Sequence, residues 1–190
     1  MVDVDGVVVV PRAGGWAANL EADLGISPAL LQDRFFKLHW NDVVLGRAGL
    51  HDRLAAALSE IAPHITSRQL AAYWFEKDAQ LDEVLLADLA VVRAGGVQVH
   101  LATVQEHERA AWLWNELRLR DRFDAMHYAA DLGLRKSEPA FYAAVEARTG
   151  FAPSELLLLD DTPANVETAR AAGWQGVHWT GRARLAELLT

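Results

Sequence analysis

Asp3-Val4-Asp5-Gly6-Val7 opens the chain with two carboxylates two residues apart. At that spacing one acid can attack a phosphorus atom as nucleophile while the other gives a proton to the leaving oxygen on the opposite side. Gly6 lets the backbone turn tightly and bring N–H groups near an anion. The bare pattern is also that of a calcium-loop fragment or an ordinary turn, so it means little alone. Three further places add to it. Thr103 follows the apolar run ending Leu101-Ala102 and can donate its hydroxyl to a phosphate oxygen, although Thr103 and Glu106 also have the spacing of a helix-capping box. Lys136, in Gly133-Leu134-Arg135-Lys136-Ser137-Glu138-Pro139, can neutralise a nucleophilic carboxylate and an incoming phosphate together. A lysine in a loop is otherwise solvated. Asp160-Asp161 closes the run Leu156 to Leu159. Adjacent acids repel each other unless a cation sits between them, and their hard oxygens suit magnesium. The alternative is a surface turn in which Asp161 caps the helix beginning near Pro163.

These residues need elements to hold them. Short apolar runs predict strands at Val97 to Leu101 and Leu156 to Leu159, with weaker ones at Phe123 to His127 and Gly176 to Trp179. Helical patterns lie between them, over Glu106 to Leu117, Glu138 to Arg148 and Pro163 to Ala172, the last stopped by Gly173. Strands alternating with helices imply a parallel sheet covered on both faces. The stretch from about Trp16 to Leu86 reads differently. Ser27-Pro28 is a helix start with the hydroxyl as N-cap, and Thr66 to Gln69 has capping-box spacing. No convincing strand appears there, so residues 12–86 read as an all-helical insertion into an α/β core formed by 1–11 and 87–190.

Composition narrows the classes. The chain has 190 residues, 52% hydrophobic and 23% charged, as an ordinary globular protein has. The formal net charge of -8, with no basic stripe, speaks against a nucleic-acid binder. No apolar stretch approaches the roughly 20 residues that span a bilayer. There are no cysteines, which excludes disulfides and thiolate metal sites. A cytoplasmic protein without membrane contact is the expectation.

The order Asp-x-Asp, Thr, Lys, Asp-Asp, each at a strand end or just before a helix, is where open α/β sheets place ligands. In that order, with Leu101-Ala102-Thr103, Gly133-Leu134-Arg135-Lys136 and Leu159-Asp160-Asp161-Thr162-Pro163-Ala164-Asn165-Val166-Glu167, the chain resembles the haloacid dehalogenase superfamily, in the subgroup with a helical cap between its first and second motifs. The resemblance covers Met1 to about Pro11 and about Ala87 to Trp179. It implies a Rossmann-like doubly wound core and a magnesium-dependent phosphatase. Asp3 would be the nucleophile and Asp5 the acid and base. Magnesium would be held by Asp3, the Asp5 backbone carbonyl, Asp161 and Asp160, and the phosphate by Thr103, the Val104 backbone and Lys136. Two departures stand out: Val104 replaces a frequent asparagine, and Ser137 a common proline.

The acid at Asp5 speaks against a dehalogenase, since relatives that cleave carbon–halogen bonds lack it. A phosphomutase would use the same core, and a catalytically silent binding module on this fold is the reading from another class. A receiver domain would place its acidic pair first and its lysine last. Substrate identity would reside in the cap, where Arg47 is the first candidate for touching substrate and Trp16, Asn19 and Trp40 the next. For the tryptophans, packing between cap helices is the stronger alternative. A small phosphate monoester, sugar phosphates first, fits a cap of roughly 70 residues. Finally, a central strand is about five residues long, yet only Met1 and Val2 precede Asp3. Incomplete pairing with the neighbouring strands is therefore expected, as are further apolar residues upstream in the natural protein.

Overall fold

The computed structural model describes residues 1–181 and 185. Residues 182–184 and 186–190, the tail of the expected core span, lie outside the described residues. Helices come first in the chain: α1 (Leu20–Leu24), α2 (Pro28–Leu31), α3 (Lys37–Val44), α4 (Leu50–Ile61) and α5 (Ser67–Lys77), with a turn of π-helix at Gln32–Phe36 joining α2 to α3. Next comes α6 (Glu83–Ala94), and from there strands and helices alternate: β1 (His100–Thr103), α7 (His107–Asn115), β2 (Ala125–Tyr128), α8 (Ala129–Leu132), α9 (Pro139–Thr149), β3 (Leu157–Asp160), α10 (Pro163–Ala171) and β4 (Gln175–His178).

β1 pairs with β2 and β3 with β4, both in parallel. Residues 1–3 join the two pairs, Val2 bridging in parallel to Leu101 on one side and Leu159 on the other. The Val2 N–H donates to His100 O and the Ala102 N–H to Val2 O, while the Asp3 N–H donates to Leu159 O and the Leu159 N–H to Met1 O, each at 2.9 Å. The strand order is therefore β2-β1-(1–3)-β3-β4. Alternate side chains serve opposite faces. Val2, Leu101 and Leu159 pack with Leu85, Leu86, Leu89 and Leu113 of α6 and α7. Ala102 and Leu158 pack with Phe141, Tyr142, Val145, Ala169 and Trp174 on the other face. This is the doubly wound sheet that the alternating pattern predicts.

This short segment thus pairs with both neighbouring strands. Below it the Met1 amine donates to Leu157 O at 2.7 Å, and burial holds it down to about 5. An apolar cavity of about 490 Å³ opens there, lined by Met1, Val97, Val99, Leu156 and Leu157 among others.

Some local expectations need correction. Val97 and Gln98 precede the sheet: Val97 is exposed, and pairing with β2 begins only at His100. Thr103 does not cap α7, because it is still in β1. Glu106 caps instead, its carboxylate accepting from the N–H groups of Glu108 at 2.7 Å and Arg109 at 2.6 Å. Ser27 stands at the N-cap before Pro28, but its hydroxyl makes no capping bond. The box at Thr66 and Gln69 forms as expected.

The helices of the insertion have their own core, in which Leu20, Ile26, Phe35, Leu54, Leu58, Leu70, Trp74 and Phe75 are buried together. The insertion's two connections to the sheet run side by side: Val9 bridges Leu81 in antiparallel fashion, Val10 N–H donates to Gln80 O, and Asp82 N–H donates to Val8 O. Leu85 and Leu86 of α6 belong to the sheet's apolar cluster.

Two buried histidines lie side by side on β1 and β2, with His100 Nδ1 and His127 Nε2 3.1 Å apart. One ring must donate and the other accept, so both cannot be protonated there. Burial lowers both, His127 to about 4, and each ring's charge would oppose the other's. An unfolded histidine takes its proton near 6.5, so between about 4 and 6.5 the unfolded chain binds a proton that the fold refuses. Stability should therefore fall on acidification through this window. Replacing His127→Gln should remove about 1–2 kcal/mol of the difference between pH 7 and pH 5, read by urea unfolding at the two pH values. An unchanged difference would show that the pair does not carry this dependence.

Candidate active site

Asp3 ends the central segment of the sheet, and a single cation reaches its carboxylate through Oδ1. Lys136 Nζ lies 2.5 Å from Asp3 Oδ1 and 2.7 Å from Asp160 Oδ2, with the lysine side chain 2% exposed. The Val4 N–H also donates to Asp3 Oδ1 at 2.7 Å. Asp160 ends β3 and is wholly buried; its Oδ1 accepts from Thr162 N–H at 2.9 Å, and Asn165 Nδ2 reaches both of its oxygens at 3.1 and 3.2 Å. Thus Lys136 is not the solvated loop lysine that its sequence context allows. Burial pushes the Asp3 carboxyl up to about 7 against the pull of Lys136, with Asp160 adding to the rise. The two carboxylates in turn raise Lys136 despite its burial, so the ammonium keeps its proton. Two acids sharing one buried ammonium leave a net negative charge, which favours a further cation or a proton.

Asp161 supplies a third carboxylate. Ligand atoms of Asp3, Asp160 and Asp161 all lie within 4.8 Å of one another, and Asp161 is exposed. Gly6 explains how Asp161 comes so near the first loop. Its φ is +81°, and a Cβ there would stand 2.1 Å from Asp161 Oδ2, so the aspartate occupies the space that a side chain would need. Three carboxylates against one ammonium, in a cradle of hard oxygens, have the charge and chemistry to hold a divalent cation such as magnesium.

Asp5 is placed differently from Asp3. Its side chain is 53% exposed, and both oxygens are held from the segment after β1: Oδ2 by Gln105 Nε2 at 2.7 Å and Oδ1 by Arg109 Nη2 at 3.0 Å. Gln105 Nε2 also lies 3.5 Å from Thr103 Oγ1, so the fully buried Thr103 belongs to the same locality. Val104 is half-buried and packs against the cluster of Val44, Leu45 and Ala129.

Of the cap candidates, Trp16 stacks on Trp74 with ring centroids 5.1 Å apart and also meets Phe36. Trp40 packs on Phe36 and Trp74 and, through the cluster with Val104, against the core. Asn19 is exposed at the start of α1 and makes no capping bond with its side chain. Arg47, in the bend after α3, is drawn back to that helix: Nε and Nη2 each lie 2.9 Å from Asp42 Oδ1, and Nη2 is 3.4 Å from Asn41 O. The structure thus brings Asp3, Asp160, Asp161 and Lys136 together, with Asp5 and Thr103 linked through Gln105. It does not bring Arg47 or Asn19 into contact with them. Sequence reasoning missed Gln105 and Arg109. The available signal was an arginine among Ala110 and Leu113, on the inward face of an amphipathic helix.

The model of one protein family, the haloacid dehalogenase-like hydrolases, matches residues 1–173. The chain belongs to that family. Its fold is similar to a haloacid dehalogenase family enzyme from Bacteroides thetaiotaomicron in complex with magnesium and inorganic phosphate, at TM-score 0.83 and 15% identity over 100% of this chain and 96% of that one. A predicted hydrolase of the same family from Porphyromonas gingivalis superposes at TM-score 0.80, with 18% identity over 99% and 93% of the two chains. L-2-haloacid dehalogenase from Xanthobacter autotrophicus gives 0.62, with 20% identity over 99% and 79%. Among the described residues no helix is long and apolar enough to cross a membrane.

The shared lysine sets a testable cost. Lys136→Met leaves Asp3 and Asp160 buried without their cation, which should destabilise the metal-free protein by about 3–5 kcal/mol at pH 8. Asp3, already raised, takes up a proton as the pH falls, so the loss should be smaller at pH 5. A melting-temperature deficit equal at both pH values would contradict this electrostatic account.

Proposed function

We propose that this hydrolase cleaves a small phosphate monoester in two displacements, through a phosphoryl group carried on Asp3. The observation that carries this reading is the division between the two acids. Asp3 is buried beside a lysine that can neutralise an incoming phosphate, whereas Asp5 is half-exposed and held by neutral and cationic donors on both oxygens. Two carboxyl groups in unlike environments can take unlike roles.

In the first displacement an Asp3 oxygen attacks phosphorus, the bond to the ester oxygen breaks, and Asp5 gives that oxygen a proton. In the second, water attacks the same phosphorus while Asp5 takes its proton, and the phosphorus–Asp3 bond breaks. Lys136 and the Thr103 hydroxyl would hold the phosphoryl oxygens, with the Val104 N–H beside them. Magnesium fits the donor set, held by the carboxylates of Asp3, Asp160 and Asp161 and the Asp5 carbonyl, and when bound would offset the charge of the phosphate. The magnesium and phosphate of the Bacteroides enzyme support this assignment. Displacement of a halide needs no proton donor, so Asp5 favours the phosphatase over the activity of the Xanthobacter relative.

The helical insertion is proposed as a cap that closes over the substrate. Its aromatic wall of Trp16, Phe36, Trp40 and Trp74 and its modest size suit a compact ligand, sugar phosphates first. The net charge of -8 disfavours polyanions such as nucleic acid.

Turnover of p-nitrophenyl phosphate and of a panel of sugar phosphates, with and without magnesium, tests the assignment. Asp3→Asn should lower kcat by several orders of magnitude while the melting temperature stays near that of the unaltered protein. Near-normal phosphate release by that variant would sink the reading. Magnesium at 100 times its Kd should stabilise the fold by about 2.7 kcal/mol, and chelation should reverse both this and the activity. Full activity after exhaustive chelation would argue for a metal-free reaction.

A further inference from the structure

Arg109 heads the fully buried side chains by size among the described residues, and none of the steps above uses it. It stands on α7 in the core, yet it is surrounded by the foot of the cap. Its Nη2 lies 3.0 Å from Asp5 Oδ1, 3.1 Å from Asp78 Oδ2 and 3.2 Å from the Asp78 carbonyl oxygen. Asp78 is the C-cap of α5, and the guanidinium carbon lies 6.0 and 5.8 Å from the ring centroids of Trp74 and Phe75 on that helix. One nitrogen with two hydrogens therefore serves three acceptors, while Nη1 is buried without a hydrogen-bond partner. A half-used buried guanidinium is a poor device for stability, because an apolar side chain of similar volume fills such a place without the desolvation cost. What the arginine does supply is direction: it faces a catalytic carboxylate on one side and the root of the cap on the other.

We propose that Arg109 is the positioning residue for Asp5 and that, through Asp78, it makes the orientation of this acid depend on the seating of the cap. The proposal rests on the phosphatase reading above. Gln105 fixes Oδ2 of Asp5 from within the core, so the second point that sets the plane of the carboxylate is Oδ1, on Arg109. If the cap lifts, Asp78, Trp74 and Phe75 leave the guanidinium, and the hold on Oδ1 is no longer the same. Proton delivery to the leaving oxygen is then available when the cap is down, over bound substrate, and impaired when it is up.

A structural role and a positioning role differ in their dependence on the leaving group. p-Nitrophenolate departs with little need of a proton, whereas a sugar alkoxide requires one. The value of kcat/KM covers the steps through cleavage of the ester bond, so it isolates the proton donation by Asp5. For Arg109→Met, kcat/KM on a sugar phosphate should fall about 100-fold, against less than about 5-fold on p-nitrophenyl phosphate. Arg109→Lys, which keeps the charge, should recover part of the loss on the sugar phosphate alone. Asp78→Asn keeps volume and leaves Asp5 untouched; it should show the same selective loss at about 5- to 10-fold, and it carries the test if the Arg109 variants do not melt cooperatively. Equal losses on both substrates in a folded Arg109 variant would overturn the positioning role. An unchanged ratio in Asp78→Asn would overturn the link to the cap. Absence of turnover of either substrate by the unaltered protein would instead overturn the phosphatase reading, and the proposal with it.

Discussion

A single buried ammonium, that of Lys136, makes it possible for two carboxylates to end adjacent parts of the sheet. Asp3 and Asp160 come from segments paired directly through the backbone, so the fold fixes their closeness whatever their charge. Taking such groups out of water costs several kcal/mol each unless they find partners. Lys136 provides the partner from another loop, and Thr162 and Asn165 satisfy the remaining oxygens of Asp160. The arrangement is still short of positive charge, and Asp161 adds to the deficit. That deficit favours a divalent cation, and in the proposed mechanism the cation and the lysine together would receive the phosphate.

The rest of the fold serves this constraint. A parallel sheet brings the ends of its strands to one edge, and those ends carry Asp3, Thr103 and Asp160. Gly6 is tied to the same need, because the place of its absent side chain is taken by Asp161. The helical insertion joins the core through the paired segments around Val9 and Leu81 and carries its own aromatic cluster. Arg109 joins the two bodies, with Asp5 and Asp78 on the same nitrogen.

Much of this was legible because it is local. Runs such as Leu157–Leu159 announce a buried strand, and the acids immediately after it mark the end that carries the candidate site. The all-helical insertion was equally plain from its helix starts, of which Thr66 with Gln69 closed a full capping box. What could not be read was anything set by partners distant in sequence. Arg47, beside Gly46, is the exception, since the partner that holds it, Asp42, is only five residues back in α3. Gln105 and Arg109 gain their meaning only from Asp5, about a hundred residues away in the chain. Thr103 with Glu106 had capping spacing, yet strand pairing to Tyr128 kept Thr103 extended and left capping to Glu106. For Thr103, long-range pairing overrode a valid local rule.

Everything above depends on Asp3 receiving the phosphoryl group. The direct measurement uses an Asp5→Asn variant, in which the second displacement lacks its base while a good leaving group can still depart in the first. After incubation with magnesium and p-nitrophenyl phosphate, the protein is quenched in acid, digested and mapped by mass spectrometry. The account predicts a phosphoryl adduct on the peptide containing Asp3, labile to hydroxylamine, together with a burst of p-nitrophenolate matching the enzyme concentration. A burst with the adduct on another residue, or steady turnover with no adduct at all, would contradict it.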